Sequence, residues 1–180
     1  LITNNIDEIK NFAKTEDLII KGISDGSLFI QKNIIKPLPE TNEFKSGYTN
    51  HFDLNRANLE KWDKPPVLLQ KNVNKVEEIR VLCINNKIFA VSTEAKTEFI
   101  DIRKSKSIYN KFHLEDNFKL KIISLMHALD LRICTFDILL DIDNYLWLTD
   151  INPQGNWIGW NKEIDLEISR EIALSLEEDY

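Results

Sequence analysis

FDILLDIDNYLWLTDINPQGNW, running from Phe136 to Trp157, decides how this chain is read. Ile133–Leu140 and Tyr145–Ile151 are rich in β-branched, aliphatic and aromatic residues, which predicts two strands. Asp143-Asn144 between them suits a two-residue hairpin turn. Counting outward from that turn places Asp137 opposite Asp150, with Asn152 two places further along on the same face. Two carboxylates then face each other, and like charges directly opposed across a strand pair destabilise it by a few tenths to about 1 kcal/mol unless a cation lies between them. Two carboxylates and an amide oxygen are hard ligands of the kind Mg²⁺ takes, with water and phosphate oxygens completing its octahedron. Asp141 and Asp143, nearer the turn, read only as solvated turn residues.

Asn152-Pro-Gln-Gly-Asn-Trp157 is more elaborate than a strand end needs if it serves only as a loop. Together with the paired acids, this segment resembles the metal-binding end of an ATP-grasp ligase. In that superfamily an acidic residue on one strand, a Glu on the next and an Asn two residues later hold the Mg²⁺ that bridges ATP phosphates. Asp137, Asp150 and Asn152 match those positions. The longer string is similar to the EINPNGQW signature of the ATP-grasp enzymes that mature graspetides, the microviridin-type peptide macrocycles.

Other segments resemble the same family in the same order. Asp17-Leu-Ile-Ile-Lys21 is similar to its entry into the nucleotide-binding lobe, which would make Lys21 a phosphate lysine. Pro66-Val-Leu-Leu-Gln70-Lys71-Asn-Val73 resembles the hinge whose backbone meets adenine, with Glu78 toward the ribose. Glu78-Ile-Arg80 resembles ELR, and Asp101-Ile-Arg103 resembles Asp-Trp-Arg. The resemblance implies that Arg80 and Arg103 stabilise the transferring phosphoryl group. Departures are Asp150 in place of Glu, Lys71 and Asn72 in place of Glu and an aromatic, and Ile102 in place of Trp. The family also carries a smaller α/β domain ahead of the segment matched by Leu1, so the chain is expected to be part of a longer protein.

The 180 residues and 43% hydrophobic content allow a sizeable core in one domain or two packed lobes. A net charge of −6 with no long basic run argues against a nucleic-acid partner. No apolar run is long enough to span a bilayer, and no signal-peptide layout opens the chain, so neither a membrane partner nor export is expected and the location is expected to be cytoplasmic. Cys83 and Cys134 lie within strand-like apolar runs and read as small core residues, not as a disulfide or zinc site. His51, His113 and His127 have no ligand-like spacing.

Residues 5–14 place Ile6, Ile9, Phe12 and Ala13 on one helical face, with Asn4 or Asn5 as cap. Asp17–Lys21 follows as a strand, and Ser24-Asp-Gly-Ser27 turns into Leu28–Gln31. That turn would offer backbone N–H groups to phosphates, although an ordinary hairpin is the simpler account. Residues 32–66 show little periodicity. Ile79–Ile84 and Lys87–Thr93 form a second hairpin about Asn85-Asn86. Phe118, Ile122, Met126 and Leu129 give one amphipathic helix, and Ile164, Ile168, Ile172 and Leu176 another, both expected on the sheet that carries the metal hairpin.

The fold class is therefore α+β, an ATP-grasp fold of antiparallel sheets with packed helices, comprising a small nucleotide-binding lobe at 1–70 and a C-terminal lobe with the metal site at 71–180. The resemblance implies a ligase using ATP and Mg²⁺ to modify a precursor peptide: phosphorylation of a peptide carboxylate, then attack on the acyl phosphate by a hydroxyl or amine. Ligation to another acceptor, and a fold that binds peptide without turning over ATP, remain open. Nothing in the sequence speaks against a homodimer.

Overall fold

The computed structural model describes residues 1–22, 49–55, 57, 59, 66–95, 108–160 and 167–177. The chain divides into two compact units, the described residues up to Val73 lying in the first and those from Asn74 onward in the second.

In the first unit, β1 (Ile2–Thr3), α1 (Ile6–Ala13), β2 (Leu18–Gly22), β3 (Asn50–Phe52) and β4 (Val67–Lys71) follow in order. Asn5 caps α1 as expected, its Oδ1 accepting from Asp7 N at 2.9 Å and Glu8 N at 3.4 Å. Asp7 and Glu8 in the first turn also suit the positive end of the helix dipole. The strands form an antiparallel sheet in the order β1-β4-β2-β3, with Ile19 opposite Gln70 and Lys21 opposite Leu68. Ile9 of α1 is fully buried against Leu18, Ile20, Phe52, Val67 and Leu69. β3 falls inside the stretch that shows no periodicity in sequence; three residues are too few to display alternation. The expected turn at 24–27 and strand at 28–31 lie outside the described residues.

The second unit contains β5 (Lys75–Ile84), β6 (Lys87–Glu94), β7 (Asn110–Lys111), α2 (Asp116–Ala128), β8 (Ile133–Asp141), β9 (Leu146–Asn152) and α3 (Ile168–Glu177). Its antiparallel sheet has the order β7-β6-β5-β8-β9. The β5–β6 hairpin has the expected two-residue turn, with Ile84 opposite Lys87 and Asn85 at φ 51°; asparagine is among the residues that best tolerate that region.

Strand alternation gives this sheet two unlike faces. Ile79, Val81, Cys83, Cys134, Phe136 and Ile138 point to one face, where Ile122 and Met126 of α2 close the core. Each large apolar side chain removed from water there contributes about 1.5–3 kcal/mol. α2 ends where Asp130 turns to φ 53°, with Leu131 N donating to Met126 O at 3.0 Å and Asp130 N to His127 O at 3.2 Å, a Schellman motif that sends the chain back into β8. On the opposite face Leu82, Ile84 and Val91 pack with Trp160 and Ile168. Helices thus cover both faces as the apolar patterns predict. Leu129 and Leu176, however, are 46% and 56% exposed, while Ser175 is buried. The stripe of α3 passes through Ile168, Ile172 and Ser175, and Ile164 lies outside the described residues. Among the described residues no helix is long and apolar enough to cross a membrane.

Candidate metal and phosphate site

The part of the second face next to the Leu82–Trp160 cluster is polar, and its residues are set by register. Across β5, β8 and β9 the Cα partners are Arg80, Asp137 and Asp150, one row of three charged residues. The neighbouring row toward the end of β8 holds Glu78, Leu139 and Trp147, and the row on the other side holds Leu82, Thr135 and Asn152. Arg80 Nε lies 3.8 Å from Asp137 Oδ1, with side-chain exposures of 25% and 47%. Arg80 therefore belongs to the polar face, and the guanidinium sits where it offsets one of the two opposed carboxylates.

The β8–β9 hairpin departs from the expected turn. Leu140 pairs with Leu146, Asp141 N donates to Tyr145 O at 3.1 Å, and Asn144 has φ 64°. The loop is thus Ile142-Asp143-Asn144, a three-residue connection closing on a left-handed residue. Farther along, Ile138 pairs with Leu148 but Asp137 with Asp150, so Thr149 is an extra residue in β9. Its hydroxyl donates to Asp137 O at 3.0 Å.

Asp141 is another correction. It is buried, and its carboxylate accepts from Trp147 Nε1 at 2.7 Å and from Asp143 N and Tyr145 N, each at 2.9 Å. The Trp147 bond foremost, with the two backbone amides, holds Asp141 below the ordinary carboxylate value of 3.8, outweighing the upward push of burial. It builds the turn instead of being solvated there.

The Asn-Pro-Gln-Gly-Asn-Trp segment turns out to carry local architecture as well as donors. Asn152 Oδ1 accepts from Gln154 N at 2.9 Å, and Asn152 O accepts from Thr135 Oγ1 at 3.1 Å and Gly155 N at 3.2 Å. A Cβ on Gly155 would lie 1.6 Å from Thr135 Oγ1, so only glycine lets the chain turn this closely over β8. Asn156 then bonds Ile158 N through Oδ1 and Trp160 Nε1 through its carbonyl, and Trp160 is anchored in the core.

As a donor set the site fits a hard divalent ion. Among the described residues no three His, Cys, Asp or Glu side chains gather to hold a metal unaided. Two carboxylates sharing a face, with the second lone pair of the Asn152 amide oxygen nearby, suit Mg²⁺, which retains water and takes phosphate oxygens as its other ligands.

The remaining predicted residues are distributed as follows. Glu78 shares the polar face but is ion-paired with Lys75, the two side chains being 16% and 14% exposed. Lys75 is a residue sequence reading missed; a lysine three places before an acid carries no signal until the strand's irregularity beside it is seen. In the first unit, Lys21 lies in β2 and Gln70 and Lys71 in β4, with Val73 just beyond. Lys71 Nζ pairs with Glu16 at 3.1 Å, and Asn72 is tied to Asp17 through both backbone N and side chain. Asp101 and Arg103 lie outside the described residues. Cys83 and Cys134 are both buried and free, facing each other across β5 and β8 in the core as read from sequence.

This architecture is the ATP-grasp fold. It matches over 99% of the chain the ATP-grasp ligase PsnB complexed with minimal precursor, at a TM-score of 0.76 and 17% identity. It is also similar to a Chryseobacterium gregarium RiPP-associated ATP-grasp ligase in complex with ADP and a leader and core peptide, with TM-score 0.74, 18% identity and 100% of the chain covered. The macrocyclase MdnC from Microcystis aeruginosa, bound with precursor peptide MdnA, matches at TM-score 0.72 and 19% identity over 97% of the chain. The chain spans about half the length of these three proteins, 53%, 54% and 53% in turn. No family model matches the sequence, and no curated protein matches it.

Proposed function

We propose that the chain is the nucleotide- and metal-binding part of an ATP-dependent ligase that acts on a ribosomally made precursor peptide. The observation that carries this reading is the Arg80, Asp137 and Asp150 row with Asn152 on the same face, set on an ATP-grasp fold. Neighbours of this fold include a complex with minimal precursor, Mg and ADP, and others with precursor peptides, which favours a peptide acceptor. Fold alone does not choose the acceptor: N5-carboxyaminoimidazole synthetase from Staphylococcus aureus shares it at TM-score 0.51 over 87% of the chain. The Asn152–Trp157 string, so close to the graspetide signature, is what favours peptide.

In this reading a peptide carboxylate oxygen attacks the γ-phosphorus of ATP and ADP departs. A hydroxyl or amine of the same peptide then attacks the acyl carbon, and phosphate leaves as the attacking group gives up its proton. The ion would neutralise phosphate charge. Asp137, Asp150 and Asn152 would hold it, and Arg80 and Arg103 would stabilise charge on the transferring group. Lys21 would neutralise phosphate oxygens, while Gln70, Lys71 and Val73 would meet the base and Glu78 the ribose. The protein supplies orientation and preorganised charge, with no nucleophile of its own. The lobe at 1–70 would serve the nucleotide and the lobe at 71–180 the metal.

Calorimetric titration of the chain with Mg-ATP, beside Asp137→Asn, tests the reading. Binding by the wild type that is lost in the variant is expected; no binding by the wild type would sink it. With a precursor peptide in hand, Arg103→Ala should stop product formation while keeping nucleotide binding. Loss of such a cation costs roughly a thousandfold or more in related phosphoryl transfers. Equal loss of binding and product would remove the role given to Arg103.

A further inference from the structure

Nearer the turn, the β8–β9 ladder pairs Leu140 with Leu146, Leu139 with Trp147 and Ile138 with Leu148. Continued without interruption, that register would set Asp137 opposite Thr149 and Phe136 opposite Asp150. Because side chains alternate along a strand, Asp150 would then face the α2 core with Phe136, and Asp137 would stand alone on the polar face. The extra residue prevents this. A bulge places two residues of one strand against one of its partner, and after it the ladder resumes with Asp150 opposite Asp137 and Asn152 opposite Thr135.

Thr149 occupies the bulge, and its Oγ1 donates to the main-chain oxygen of Asp137 at 3.0 Å. The bond joins the irregular residue to the very residue whose partner it determines. A hydroxyl clip there holds the bulge at one position and discourages its migration along the strand, since a bulge displaced beyond Asp150 would separate the two carboxylates onto opposite faces.

We propose that Thr149 is a positioning residue for the metal site: its side-chain bond to Asp137 fixes the bulge that brings Asp137, Asp150 and Asn152 onto one face. The inference rests on the metal reading of those three residues, but Thr149 itself is no ligand. Second-sphere groups that orient metal ligands cost roughly 10- to 100-fold in metal affinity when removed. Thr149→Val keeps the β-branch and loses the hydroxyl; Thr149→Ser keeps the hydroxyl.

The experiment is Mn²⁺ binding to the whole chain, read by water-proton relaxation enhancement, for wild type and both variants, with thermal midpoints of the metal-free proteins measured alongside. Expected is a loss of affinity of roughly 10- to 100-fold in Thr149→Val, with Thr149→Ser binding as the wild type does. If the valine variant does not fold, Thr149→Ala takes its place with the same expectation. Wild-type affinity in the hydroxyl-less variant, or a serine variant as weak as valine, overturns the positioning role while leaving the metal site intact. Absence of Mn²⁺ binding by the wild type overturns the metal reading and this inference with it.

Discussion

Asp137 and Asp150 are Cα partners across β8 and β9 because two irregularities cancel between them and the turn. The loop has one residue more than a two-residue turn, Ile142-Asp143-Asn144, which shifts the ladder one way. The extra Thr149 shifts it back. Both irregularities have local causes: Asn144 accepts the left-handed backbone the loop requires, and Thr149, bulging from β9, bonds the partner strand β8 at Asp137. The pair so formed sets two like charges opposite each other, with Arg80 Nε 3.8 Å from the Asp137 carboxylate.

It follows that Asp150→Asn should stabilise the metal-free protein by a few tenths to about 1 kcal/mol, the size of a like-charge pair directly opposed in a sheet. The same variant should lose the rise in thermal midpoint expected of the wild type with Mn²⁺, since an ion bound only by the folded state stabilises it by an amount that grows with the logarithm of ion concentration over its dissociation constant. Asp137→Asn should show the second effect without the first, because its carboxylate also faces Arg80 at 3.8 Å. Thermal melts with and without Mn²⁺ decide; an equal Mn²⁺ shift in wild type and Asp150→Asn would remove Asp150 from the site.

Gly155→Ala should destabilise the unit by about 1–3 kcal/mol, the range for forcing extra atoms into a packed site. The new Cβ meets Thr135 Oγ1 at 1.6 Å, Cβ at 2.6 Å and Cγ2 at 2.7 Å. Thr135→Ala removes two of these three atoms, so the double variant should be less destabilised than the sum of the singles. Denaturant melts of the four proteins measure that coupling. Strict additivity would show that the close approach of Gly155 to β8 is not what the glycine is for.

Much of this site was legible from sequence because strand alternation is a strong constraint. Asp137, Asp150 and Asn152 fall on one face by counting, and the apolar residues between them fall on the other. What counting could not see was where the chain departs from regularity. The right pairing emerged from a turn assumed too short and a bulge not foreseen, and nothing in Leu148-Thr149-Asp150 announces an extra residue. Asp141 was misread for a related reason: a turn aspartate is ordinarily solvated, and only the fold brings Trp147 across to bury it. Lys75 has no sequence signal either, because its pairing with Glu78 depends on the irregularity of β5 beside it. β3 was too short to leave a period.

The carboxylate of Asp141 should make the acid stability of this hairpin depend on Trp147. Its folded value lies below the ordinary 3.8, chiefly through the Trp147 indole. The ionised form is thus favoured by folding, and the stability it contributes is present above 3.8 and lost as pH falls through the lower folded value. Trp147→Phe removes the first of the three donors, so the folded value should rise toward 3.8 and the acid loss contributed by Asp141 should become smaller and end at higher pH. Acid titrations of the denaturation midpoint for both proteins test this; superimposable acid limbs would show that the indole bond does not govern the ionisation. Asp141→Asn should flatten the limb and lower stability at neutral pH.

Cys83 and Cys134, facing each other in the core of the second unit, should mark its alkaline limit. Burial, and then the neighbouring Cys134, push the Cys83 thiol up from 9.0 to about 11, and burial raises Cys134 as well. Raised values mean that folding favours the neutral thiols. The contribution of Cys83 is fully present below 9.0 and is lost as pH climbs through about 11, and Cys134 acts in the same direction. Since the thiolate is the nucleophile, neither residue should be alkylated by iodoacetamide in the folded protein at mildly alkaline pH, and both should react in urea. Replacing both by alanine should weaken the core while removing this component of the alkaline loss. Alkylation of the native protein at the rate seen in urea, or an alkaline limb unchanged in the double variant, would show that these thiols are not held neutral by their burial.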